Sequence, residues 1–282
     1  MPFGIPLDSS LPIARYDYYD GPFAESVRYF SSGTTWDLTL IESFGIPQGP
    51  TLDVGAGWGR VVASLVDKSK DVWAVEQSRS FVKSLEAMAD DYSSSKRDIA
   101  TLTVVPGDIS LANLPSSYFS AIYIADLTVN AFQSTEDLSH IFTVLKPLLS
   151  RDGYIALFAF RDESDRKMFE KYQDQLFLCP FKNEAGETQI QFASLRFDPV
   201  SSQLHEEYLI PQVIDGRLSY ALATLTEHIW IESEIINIAK AGGFTCNPVG
   251  ESRIAGGGLD GAAVGMIICT PVRRRPLGEV AL

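Results

Sequence analysis

The stretch TLDVGAGWGR occupies residues 51–60. A short apolar run ends in an acid, Asp53. Three glycines follow at every second position, Gly55, Gly57 and Gly59, and the apolar segment VVASLV comes next. Glycine lets a backbone turn sharply and approach a ligand closely. A strand that passes through such a loop into a helix N-terminus leaves free N–H groups around a nucleotide-sized site.

The spacing argues against the two commonest phosphate loops. In a G-x-G-x-x-G fingerprint the third glycine allows helix and strand to pack closely; counted from Gly55, that position is Arg60. A P-loop needs Gly-Lys-Ser/Thr, which is absent. What remains is D-x-G-x-G-x-G. A carboxylate ahead of the first glycine repels a pyrophosphate but suits a cation. S-adenosylmethionine (SAM) carries an ammonium and a sulfonium and no phosphate. On these residues the segment resembles the first motif of class I SAM-dependent methyltransferases. Its other reading is a tight strand–helix turn with a capping Asp.

The chain around the loop alternates. Helices are expected from Pro22, with Phe23, Val27 and Phe30 on one face, and over 35–44. LDVG reads as a strand, 60–66 as a helix, 71–76 as a strand and 80–91 as a helix with Phe81, Leu85 and Met88 at helical spacing. Strands at 101–105, 119–125 and 153–160 and a helix over 136–149 complete a parallel doubly wound pattern. After residue 175 the pattern changes to TQIQFASLRFD, QLHEEYLIP and RLSYALATLTEHIW, punctuated by Asp198-Pro199 and Asp215-Gly216. Antiparallel strands with one solvated face give that pattern. A helix over 232–241 ends at Gly242-Gly243, and GFTCNPV with GAAVGMIICT is expected to close the sheet as a hairpin. Residues 1–13 are expected to wrap the surface, and VRRRPLGEV to form a loose tail. Four segments follow: an N-terminal arm with helices (1–48), a core (49–175), a β-rich insertion (176–230) and a closing helix and hairpin (231–282).

The resemblance covers roughly residues 50–160. It implies an α/β, Rossmann-like fold, with a mostly parallel sheet, helices on both faces and an antiparallel β cap insertion. It implies SAM as cofactor, held by Asp53, Gly55, Ala56 and Gly57. Glu76 stands 23 residues after Asp53 at the end of VWAVE and would hold the two ribose hydroxyls, which suit one bidentate carboxylate. Gln77 would add an adenosine contact. Asp108 in PGDIS would accept the adenine amino group, with Ile109 as a backbone donor and apolar wall. Asp126 and Leu127, in IADLTVNAF, would face the methionine part or the acceptor, with Thr128 and Asn130 beside them. Taken singly, an Asp in a turn or a Glu at a strand end is common. Trp58 either walls the cofactor or packs on the following helix.

Two further segments carry the acceptor side. YDYYDGP (16–22) resembles the arm of glycine and sugar N-methyltransferases, which covers SAM and part of the substrate. It also resembles the start of daptide-type peptide methyltransferases, which dimethylate an amine on a ribosomal peptide. Tyr16 and Tyr19 are the candidates there: a ring face holds a methylated cation by about 0.5–2 kcal/mol. Alternatively these tyrosines anchor the arm. In sugar N,N-dimethyltransferases the late insertion caps the substrate and sometimes forms a dimer surface, so a homodimer is one expectation. Alternation puts Tyr220, Leu222, His228 and Trp230 on one face, lining a pocket or packing on the core. His205 with Glu206 and Glu207 reads as a base among acids or as a solvated strand.

Composition bounds the rest. Apolar residues make up 45% and the formal net charge is −13, which argues against a nucleic-acid partner and is compatible with a cationic substrate or with plain solubility. Cys179, Cys246 and Cys269 show neither a disulfide framework nor a zinc pattern, consistent with a reducing, cytoplasmic setting. His140, His205 and His228 lack metal-ligand spacing. No apolar stretch reaches membrane-spanning length, and no signal peptide is apparent.

Methyl transfer is an in-line displacement whose main demand is placement. An amine acceptor must lose its proton to water or a carboxylate; an alcohol needs a stronger base, usually His. The expected function is SAM-dependent N-methylation of an amine on a natural product or ribosomal peptide, with Asp126, Tyr19, His205 and His228 as catalytic candidates. Small-molecule O-methylation is the alternative. A catalytically silent SAM-binding partner subunit is the reading from another class.

Overall fold

The computed structural model describes residues 12–69, 71–94, 101–173, 175–254 and 260–273. The expectations for residues 1–11 and for the tail from 274 lie outside them.

One sheet has seven strands. Five of them run parallel: β6 (Leu149–Phe160), β5 (Phe119–Ile124), β2 (Thr51–Val54), β3 (Asp71–Glu76) and β4 (Thr101–Pro106), adjacent in that order. β12 (Ala263–Pro271) pairs antiparallel with β6, and β11 (Phe244–Arg253) with β12. All four residues of β2 are buried, as expected for a parallel strand covered on both faces. One face packs under α2 (Trp36–Phe44), α3 (Arg60–Val66) and α4 (Arg79–Ser94), through Leu40, Val62, Leu65 and Leu85. The other packs under α5 (Thr135–Leu145) and α7 (Glu232–Ala241), through Leu138, Phe142, Ile235 and Ala239. The doubly wound, Rossmann-like expectation holds. The helix expected over 136–149 stops at Leu145. Residues Lys146–Leu148 form a 3-10 turn around Pro147, and β6 starts at Leu149.

The second sheet has five strands in the order β1 (Ile13–Tyr16), β10 (Arg217–His228), β9 (Gln203–Ile214), β8 (Thr188–Asp198) and β7 (Leu176–Lys182). β7 to β10 are antiparallel, whereas β1 joins β10 in parallel. Its inner face carries Ala193, Tyr208, Ile210, Ala221 and Ala223. It closes on Phe23 of α1 (Pro22–Ser31), whose side chain is fully buried. Ser26 shares that helix face and donates to Gln191 at 2.6 Å, while Phe30, expected on it, is exposed.

Two expectations change. The face of Tyr220, Leu222 and His228 is the one turned away from Phe23: β10 presents Ala221 and Ala223 to that ring, so alternation sends the expected set to the other side, where Leu222 is buried all the same. Trp230 lies beyond the strand, and its indole donates to the Phe132 carbonyl at 2.8 Å. The cysteines also depart from the expectation. The β11–β12 hairpin places Cys246 directly opposite Cys269, and the two form a disulfide across 23 residues of sequence. Cys179 is a free thiol. No helix among the described residues is long and apolar enough to cross a membrane.

Candidate active site

The glycine loop leaves β2 and is tied at once to β3: Gly55 and Ala56 donate their N–H groups to the Val75 carbonyl at 2.9 and 3.1 Å. Gly55 and Gly57 have φ of 71° and 56°, the left-handed region where side chains are strained. A Cβ on Gly55 would stand 2.5 Å from the Thr128 methyl, whereas one on Gly57 would meet nothing. Gly55→Ala is therefore expected to lower the melting temperature and cofactor affinity together. Gly57→Ala adds backbone strain alone, and its melting temperature should fall less. Parallel thermal melts and titrations of the two variants check this.

Glu76 closes the loop from β3. Its Oε2 accepts from the Gly57 N–H at 2.7 Å and its Oε1 from the Ser78 N–H at 2.8 Å. Burial pushes its carboxyl up, these amides pull it down, and Asp20 pushes it up again. A carboxylate has about four acceptor positions, so each oxygen keeps one for a ribose hydroxyl. Gly107 donates to the Glu76 carbonyl at 2.8 Å, which brings the end of β4 alongside. There Asp108 is exposed and caps its own turn by accepting from Ser110 at 2.7 Å, while Ile109 is buried. Gln77 is exposed beside Glu76.

β5 delivers Asp126 and Leu127, both left-handed, with φ of 49° and 60°. The turn sets Thr128 against Gly55. Arg60 reaches Asp126 at 3.2 Å and grips Asp37 of α2 with two bonds of 2.6 Å. Asp37 is fully buried. The residue that departs from the Rossmann fingerprint is thus the cation that joins helix, loop and β5. The Asp126 carboxyl sits above its ordinary range through lost hydration, against the pull of Arg60 and with repulsion from Asp37.

Asp53 differs from the expectation of direct contact. Both of its oxygens are sealed from solvent and have no hydrogen-bond partner among the described residues. Burial, opposed by Arg60 and reinforced by Asp37, Glu76 and Asp126, pushes its carboxyl up to about 7. A ligand in the loop would meet Asp53 only through its field, since its oxygens are sealed from solvent. These residues fit SAM: an open glycine loop, a carboxylate with two spare acceptor positions, and acids at the place for a cation.

The arm latches onto the same rim. The Ser78 hydroxyl donates to the Tyr19 carbonyl at 2.6 Å, and Asp20 accepts from the Ser80 N–H at 2.9 Å. Tyr19 is 37% exposed, 6.3 Å from the Phe81 ring and 5.2 Å from Tyr18. Tyr16 packs on Gly21 and Phe23. Tyr18, not singled out from the sequence, stacks on Tyr208 with centroids 4.0 Å apart and 20° between planes. The inner face of the second sheet also carries two acids: Glu206, read from the sequence only as a neighbour of His205, and Glu227, which the sequence did not single out. Alternation along HEEYL, which puts residues 206 and 208 on one face, was the available signal.

The two histidines are not brought to this place. His205 is exposed on the outer face, opposite Arg196, with Nδ1 3.1 Å from the Thr226 hydroxyl. His228 stacks on Trp230 at 3.8 Å, and burial lowers the pKa of its imidazole. Trp58 packs on α1, donating to Ser31 at 2.8 Å under the Arg28 guanidinium. Asn130 is buried and accepts from the Trp230 N–H at 3.3 Å.

Comparison with known proteins agrees with this geometry. Residues 52–157 match the model of a methyltransferase domain. A SAM-dependent methyltransferase from Clostridium acetobutylicum is similar in structure, with a TM-score of 0.64 at 14% identity over 85% of this chain and 94% of that one. CalS10, an amino pentose methyltransferase from Micromonospora echinaspora involved in calicheamicin biosynthesis, gives 0.60 at 14% identity over 88% and 97%. The glycopeptide N-methyltransferase MtfA gives 0.52 at 16% identity over 93% of each chain. No curated protein matches. Residues 52–157 thus form a methyltransferase domain, and the chain around them has the fold seen in class I SAM-dependent methyltransferases.

Proposed function

We propose that this enzyme transfers the methyl group of SAM to an amine nitrogen on a natural product or a ribosomal peptide. The observation that carries the reading is the chemistry of the wall beside the donor site. Tyr18 stacks there on Tyr208, which donates to Glu206, and Tyr19 lies beside Tyr18 on the latched rim; repulsion from Glu206 and Glu227, and for Tyr19 from Asp126, adds to burial in raising both phenols. His205 and His228 belong to the opposite face of the sheet. Carboxylates and ring faces stabilise an ammonium, whereas a hydroxyl acceptor needs a base, usually His. The similar structures include an amino pentose methyltransferase and a glycopeptide N-methyltransferase.

When bound, SAM supplies a methyl carbon whose bond to sulfur breaks as the acceptor's lone pair forms the new bond. The chain's own work is placement: Glu76 for the ribose, the glycine loop for close approach, and Arg60 to fix Asp126 at the edge of the cleft. Incubating the protein with SAM, a panel of amino sugars and peptide amines, and their matched alcohols tests the reading through S-adenosylhomocysteine release. Turnover of amines and not of alcohols supports it. Turnover of alcohols alone means O-methylation, and tight donor binding without turnover means a silent subunit.

A further inference from the structure

Glu206 and Glu227 are diagonal neighbours on the inner face of the second sheet: Glu206 faces Leu225 across the β9–β10 register, and Glu227 lies two residues further along. Glu206 is 9% exposed. Its Oε1 accepts from the Tyr208 hydroxyl at 2.7 Å, and its Oε2 receives no hydrogen bond from the described residues. Among the described residues Glu227 receives none on either oxygen. Glu206 is buried with one oxygen unfilled and Glu227 is half-buried, so acceptor positions on this face stay open to a ligand rich in donors. The end of β10 is held against the turn after β5, because Gln133 donates to the Thr226 carbonyl at 2.8 Å.

We propose that Glu227, with Glu206 beside it, holds the acceptor's ammonium in an anionic, tyrosine-walled pocket and takes up the proton that leaves before the nitrogen attacks. This rests on the N-methylation reading. The ammonium N–H bond breaks, and the proton passes to the Glu227 carboxylate, which becomes neutral. Nitrogen keeps the electron pair and uses it for the N–C bond, while the electrons of the C–S bond stay on sulfur. The methylated nitrogen is again a cation, and Glu227 returns its proton to water when the cleft opens.

The groups acting on Glu227 come from several elements: Glu206 of β9, Asp126 at the end of β5, itself paired with Arg60, and Tyr18 and Tyr19 of the arm. Burial first, then repulsion from Glu206 and Asp126, raises the Glu227 carboxyl; burial raises Glu206 against its bond from Tyr208. A carboxyl raised in the fold binds more protons folded than unfolded. Its contribution to stability therefore falls as pH climbs from the ordinary carboxylate range through the raised one.

The test uses the full chain saturated with S-adenosylhomocysteine, with benzylamine as probe and benzyl alcohol as its neutral counterpart. Without probe, the melting temperature should fall between about pH 5 and about pH 8.5, and less in Glu227→Gln. At the upper pH benzylamine should restore it and benzyl alcohol should not. Glu227→Gln should weaken benzylamine binding at least about tenfold and leave S-adenosylhomocysteine affinity unchanged. Glu206→Gln should weaken it too, and provides the readout if the first variant fails to fold. The proposal is overturned if wild type does not bind benzylamine, if the alcohol binds as well, or if both variants keep full affinity and the wild-type pH profile. If amines turn over while the variants behave as wild type, N-methylation stands and this assignment falls. If only alcohols turn over, both fall.

Discussion

Replacing Glu76 with Ala is expected to weaken binding of SAM and S-adenosylhomocysteine about 100-fold, while the protein stays folded. The side chain has one spare acceptor position on each oxygen beside the Gly57 and Ser78 amides it already holds. A hydrogen bond to a charged group is worth about 1.5–3 kcal/mol, so two ribose bonds amount to about 3 kcal/mol or more, and 1.4 kcal/mol is tenfold. The truncation also frees the Gly57 amide, which loosens the loop before any ligand arrives. Titration calorimetry with S-adenosylhomocysteine gives the number, and circular dichroism reports the fold. An affinity within about threefold of wild type would remove Glu76 from the donor site.

Arg60→Leu is the change with the largest expected cost in stability. It leaves Asp37, fully buried, without the two bonds of 2.6 Å that neutralise it. Removing one partner of a buried pair costs about 3–5 kcal/mol, which for a chain of this size lowers the melting temperature by roughly 10 °C. Arg60 also pulls down the carboxyls of Asp53 and Asp126, so both rise further and the donor side loses negative charge near neutral pH. Adding Asp37→Leu should recover most of the stability, because a buried ion pair replaced by apolar residues is often neutral. It should not recover the donor affinity that depends on a charged Asp126. A single-variant loss below about 1 kcal/mol would show that the pair is not what joins α2 to the loop.

The core was legible because its signals are local. Periodicity set 60–66 and 71–76 as helix and strand, and the structure has α3 and β3 at the same bounds. Glu76 follows from its interval after the glycine loop. What escaped depends on pairing between distant residues. β1 is four residues long and acquires its conformation from β10; β7 carries Pro180, which masks an edge strand. The Cys246–Cys269 bond follows from hairpin register, and no spacing rule announces it. The acceptor wall turns on one bit of information, namely which face of β9 and β10 looks inward. With the face assigned to Tyr220 and His228, attention goes to histidines; with the other, to Glu206 and Glu227. Arg60 reads as an intruder in a glycine loop until Asp37 is seen beside it.

The run from Ile13 to Gly21 is one thread with two knots. At one end Ile13–Tyr16 is sewn to Tyr220–Ala223; at the other Tyr19, Asp20 and Gly21 are bonded to Ser78 and Ser80. Tyr18 lies between, flat on Tyr208. A four-residue edge strand is among the cheapest parts of a protein to lift. Loosening one knot is therefore expected to slacken the thread at the other, through a segment of nine residues that brings two rings, Tyr18 and Tyr19, to the wall between them.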